Sequence, residues 1–101
     1  MLTVGLYVRL EAKPGREADL AAFLQQGLEL ANQESATPYW FALRLAPNVF
    51  AIFDAFRDEA GRQAHLSGPI AKALMEQAPQ LLVGAPVIER VEVLHAKLTT
   101  P

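Results

Sequence analysis

The chain has no cysteine, which removes disulfides, thiolate nucleophiles and any zinc or iron–sulfur site built on sulfur. Its two histidines, His65 and His95, lie far apart and belong to no His-Glu-x-x-His pattern, so a metal site has little to draw on. Ser35 and Ser67 are the only serines, and neither occupies a Gly-x-Ser-x-Gly elbow. No glycine-rich loop suits phosphates or dinucleotides. Basic charge is sparse as well. Nine Lys and Arg against eleven Asp and Glu give a net charge of −2 and a pI near 5.6, with no basic stripe to meet a nucleic acid. The opening MLTVGLYVRL has no basic leader, and Arg9 interrupts its short apolar run. It reads as a strand, not a signal peptide or membrane span, which makes cytoplasm the expectation.

What the chain does have is apolar bulk: 51% of its 101 residues are hydrophobic, enough for one domain spanning 1–101. Residues 2–11 alternate Val4, Leu6, Val8 and Leu10 against Tyr7 and Arg9, the period of a strand. Lys13-Pro14-Gly15 is a turn. From Arg16 to Gln33, Leu20, Phe23, Leu24, Gly27, Leu28 and Ala31 fall on one helical face. Two strands, 39–45 and 49–57, flank Ala46-Pro47-Asn48 and should pair as a hairpin. Asp58 is placed to cap a short helix ending near Leu66. Gly68-Pro69 opens another helix, which Pro79 should kink or end, and a last strand covers 87–98. The order β-α-β-β-α-β predicts an α+β, ferredoxin-like domain: a four-stranded antiparallel sheet with its helices on one face.

Such a sheet leaves its second face uncovered. Hairpin logic puts Phe41, Leu43 and Leu45 toward the helices and Trp40 and Arg44 outward, beside Tyr7, Arg9 and Phe53. An outward face that also carries Val49 and Ala51 is too apolar to stay wet, so a sheet-to-sheet homodimer through Tyr7, Arg9, Trp40, Arg44 and Phe53 is expected.

The candidate chemistry sits at Asp54 and His65. Asp54 shares a face with Phe50, Ile52 and Phe56, where an unpaired carboxylate is costly. His65, in the following helix, is in reach as its donor. The pair could orient an imidazole as a general base, with Phe41 and Phe56 as apolar walls for a flat organic molecule. Two plainer roles compete: Asp54 bonded to backbone amides, and His65 as a helix-end residue favoured by the dipole. Arg62, one turn before His65, either balances charge or lies at the surface. His95 has no partner in sight and reads as structural.

The opening strand leading into Lys13-Pro14-Gly15, then Phe53-Asp54-Ala55-Phe56, then Ala64-His65-Leu66 before Pro69, together resemble the antibiotic biosynthesis monooxygenase-like proteins of the dimeric α+β barrel superfamily. The resemblance implies a ferredoxin-like subunit that dimerises through its sheets, with a pocket between sheet and helices where Val8 and Ile70 join Phe41 and Phe56. It implies oxidation of a small quinol-like or phenolic aromatic by molecular oxygen, without cofactor or metal, using His65 and Asp54. Quinol-oxidising relatives carry Trp where this chain has Phe56, and a second His where it has Ile70. Haem-degrading relatives carry Asn at the position of Val8. These departures argue against haem degradation and keep two alternatives in play, a non-catalytic dimeric ligand-binding module and a small-molecule isomerase.

Overall fold

In a computed structural model, which describes residues 1–99, the chain forms β1 (Val4–Glu11), α1 (Glu17–Ala31), β2 (Tyr39–Ala46), β3 (Val49–Phe56), α2 (Glu59–Leu66), α3 (Pro69–Leu81) and β4 (Val87–Glu92). The strands make one antiparallel sheet in the order β2-β3-β1-β4, so the ferredoxin-like α+β arrangement holds. None of the described helices is long and apolar enough to cross a membrane.

Local chemistry accounts for the boundaries. Lys13-Pro14-Gly15 reverses the chain with Gly15 at φ 83°, a conformation that costs glycine nothing. Glu17 and Asp19 stand at the positive end of α1. The Asp58 carboxylate accepts the Gly61 N–H at 2.8 Å and caps α2. Pro69 begins α3, where its missing N–H is not needed. Pro79 neither ends nor interrupts α3; it lies in the last turn, and Leu82 still donates to the Ala78 carbonyl at 2.9 Å. The last strand is shorter than expected, ending at Glu92. Its partner β1 begins at Val4, so past the bond from Val93 N–H to Thr3 O there is no ladder to continue.

Leu6, Val8 and Leu10 face the helices, opposite Asp54, Ile52 and Phe50 on β3. With Leu20 and Leu24 of α1 and Leu74 and Leu81 of α3, most of these residues form the core. Register also corrects the expected faces of β2. Trp40 pairs with Asp54, Ala42 with Ile52 and Arg44 with Phe50, so Trp40 and Arg44 lie on the helix side. Phe41 and Leu43 pair with Phe53 and Ala51 and lie on the open face, while Leu45 falls in a register shift between Arg44 and Ala46. Phe41 stacks on Phe53 at 6.3 Å, and Tyr7 and Arg9 share that open face. Of the five residues expected at an interface, Trp40 and Arg44 therefore belong to the other side of the sheet.

Candidate functional site

Asp54 sits mid-sheet on the helix face and is 1% exposed. Gly5 lets β1 come this close: a Cβ at Gly5 would stand 2.6 Å from the Asp54 carbonyl oxygen. A carboxylate so enclosed needs a positive partner. The helix α2 delivers it.

Two side chains one turn apart seat α2 on the sheet. Arg62 is buried, pairs with Glu59, and donates through Nη1 to the carbonyls of Gly5 and Val91, each at 3.2 Å. It is therefore neither a surface arginine nor a free charge at the site. His65, also buried, places Nε2 3.0 Å from Asp54 Oδ2. That oxygen lies off the ring's N–H direction, so the contact is an ion pair more than an aligned hydrogen bond, and neither Asp54 oxygen has a hydrogen-bond donor. On the opposite ring edge Nδ1 meets Glu34 Oε1 at 2.7 Å, with Thr37 Oγ1 at 3.4 Å. Thr37 also donates to the same Glu34 oxygen at 2.9 Å.

Burial, the largest single influence on His65, favours the neutral ring. The Asp54 and Glu34 contacts together outweigh it and hold the imidazole pKa above its ordinary value. Both ring nitrogens of His65 are thus engaged by carboxylates. The trio sets two carboxylates on one ring, and Glu34 Oε2 is buried without a hydrogen-bond partner among the described residues. Glu34, Thr37, His65 and Gly68 line a cleft of about 260 Å³ between the segment after α1 and the α2–α3 junction. Asp54 and Glu34 stand on opposite nitrogens of one ring, so they do not converge on a common point, and no metal-binding group of three or more occurs among the described residues.

The four expected wall residues do not gather around this cleft. Phe56 is fully buried against His65, the ring centroids 5.4 Å apart. Val8 and Ile70 are buried, and Phe41 faces away on the other side of the sheet. His95 is exposed beyond the end of β4. Glu34 and Thr37 escaped sequence reasoning. They lie some thirty residues from His65, and the only local sign was a polar run, Asn32 to Ser35, ahead of Thr37-Pro38.

A second concavity, about 520 Å³, runs between α1 and β2. Leu24, Leu28 and Phe50 form its apolar wall, with Trp40 and Arg44 beside them.

No model of a known protein family matches the chain, and no curated protein does. Among solved structures, a protein of unknown function from Nitrosomonas europaea is 59% identical, over 100% of this chain and 98% of that one, with a TM-score of 0.96. A "putative antibiotic biosynthesis monooxygenase" from Deinococcus radiodurans superposes with a TM-score of 0.81 at 20% identity, over 97% and 99% of the two chains. Another from Bacteroides thetaiotaomicron gives 0.73 at 22% identity, over 99% and 96%. The two latter likenesses establish a shared fold, that of the antibiotic biosynthesis monooxygenase-like proteins. The chain belongs to the family of the first.

Proposed function

We propose that this member of the Nitrosomonas europaea protein's family is a cofactor-independent monooxygenase of small phenolic or anthrone-like aromatics, working as a one-domain subunit of a homodimer. One observation carries the reading: an imidazole held by a carboxylate on each ring nitrogen, one of them Glu34, which lines a cleft and whose buried Oε2 has no partner among the described residues. Glu34 takes up one proton, and the substrate's acidic O–H or C–H is the donor. The resulting carbanion or phenolate is electron-rich enough to reduce oxygen. At an activated CH2, two hydrogens leave and one oxygen enters as C=O, while the second oxygen departs as water. In this mechanism Glu34 is the base. His65 holds it in place and Asp54 holds the far side of the His65 ring, a division of labour that moves the base one residue outward from the imidazole.

The homodimer rests on the open face, where Phe41, Leu43 and Phe53 leave apolar surface with no helix over it. A second reading, a non-catalytic ligand-binding dimer, is favoured by the burial of Val8, Phe56 and Ile70, which leaves no open chamber at those positions.

Oxygen consumption by metal-free protein with anthrone, beside Glu34→Gln, separates the two. Uptake above autoxidation that falls about 10²- to 10⁴-fold in the variant is the result expected of a general base. Equal uptake by both proteins would remove Glu34 from the chemistry, and none by either would leave the binding module.

A further inference from the structure

The groove between α1 and β2 is separate from the His65 cleft and has its own chemistry. Its lining is apolar except at the exposed Gln25 and at two further points. Arg44 is the only charged residue on it. Its guanidinium lies over the Phe50 ring, 4.6 Å from the centroid, and it forms no ion pair among the described residues. A guanidinium resting over an aromatic face still has its N–H donors to offer, and a carboxylate suits them. The second point is Trp40, whose indole Nε1 is buried without a hydrogen-bond partner among the described residues. Buried donors almost always find an acceptor, because leaving one unmet carries a desolvation cost. Trp40 is also fixed in place: its six-membered ring lies against Gly27 of α1, where a Cβ would come within 3.3 Å of two ring carbons.

We infer that this groove binds a small molecule with an apolar body and one carboxylate, the carboxylate meeting Arg44 and the body lying along Leu24, Leu28 and Trp40. The proposal goes beyond the oxygenase reading and does not rest on it. Charge selects the class: one unpaired cation in an otherwise uncharged groove favours a monoanion over a neutral or cationic analogue. Size agrees, since about 520 Å³ lies in the range of small-molecule sites.

The chain contains one tryptophan, so its emission reports this groove alone. The test is a fluorescence titration with decanoate, decanol and decyltrimethylammonium, each below its aggregation limit. Saturable change with decanoate is expected, with decanol at least about tenfold weaker and the cation weaker still. Arg44→Gln should lower decanoate to the level of decanol. Ala21→Phe, an exposed position on the groove wall, should weaken both by filling the space. Glu34→Gln should leave decanoate binding unchanged, which keeps this outcome apart from failure at the His65 cleft. Equal affinity for acid and alcohol, an Arg44→Gln variant that binds decanoate normally, or no saturable change with any probe would overturn the assignment. So would a change that follows protein dilution instead of ligand, because it would put a second copy of the chain in the groove.

Discussion

β2 and β3 are adjacent, equally long and similarly apolar, yet their burial is opposite. Every residue of β3 is buried except Phe53, whereas none of β2 is. Composition does not separate YWFALRLA from VFAIFDAF. Position does: β3 has a strand on either side, and β2 is an edge that α1 covers only in part. The central strand can therefore enclose a carboxylate and force a histidine to meet it. The edge strand keeps its aromatic side chains accessible on both faces, one face on a groove and the other bare. The enclosed strand holds a carboxylate, and the edge strand leaves apolar surface exposed.

The strongest test of that contrast lies at its buried end. Asp54→Ala removes one of the two carboxylates that hold His65, leaves the ring to Glu34 alone and opens a cavity on the helix face, and should cost about 2–4 kcal/mol in urea unfolding at neutral pH. A cost below about 1 kcal/mol would mean that the site is wetter than its burial implies. Gly5→Ala comes next. Its methyl would press on the Asp54 carbonyl from a backbone that cannot step aside, for about 1–3 kcal/mol of overpacking strain. Unchanged stability would show β1 free to move away from β3.

A smaller effect is expected from pH. Folded His65 holds its proton more tightly than the unfolded chain does, through Asp54 and Glu34. Its stabilisation is therefore complete below the ordinary value of 6.5 and declines as pH climbs through the raised folded value. Urea midpoints measured from pH 6 to 9 should fall, and His65→Gln should flatten the decline. The smallest effect belongs to β2. Leu43→Ser on the bare face should change the stability of dilute monomer by no more than about 0.5 kcal/mol. In light scattering the same substitution should shift the dimer toward monomer. A monomeric parent would end the interface proposal.

Period and punctuation made the elements legible. Alternation over Val4 to Leu10, the Pro-Gly turn at 14–15, the Asp58 cap and Pro69 all mark boundaries within a residue or two of those found. The same pattern placed Asp54 on the helix face with Ile52 and Phe56. It failed on β2 because the strand is apolar on both sides, so alternation says nothing about direction. Only pairing with β3 decides it, and Arg44, whose charge suggested an outward face, lies on the helix side at the sheet edge, over Phe50. Half of the candidate site was legible for a related reason. Asp54 and His65 are joined by a short connection, whereas Glu34 reaches His65 from a loop that folding alone brings near.

The two grips of α2 on the sheet bear on how this chain can drift over generations. Arg62 reaches β1 and β4, and His65 reaches β3, so one eight-residue helix is referenced to three strands by two side chains. A residue inserted between Phe56 and Asp58 would rotate the helix by about 100° and break both references at once. Insertions between Asn32 and Ser35 disturb at most the Glu34 contact, leaving Asp54 and His65 paired. Length variation among homologues should therefore collect in that loop and be absent before α2.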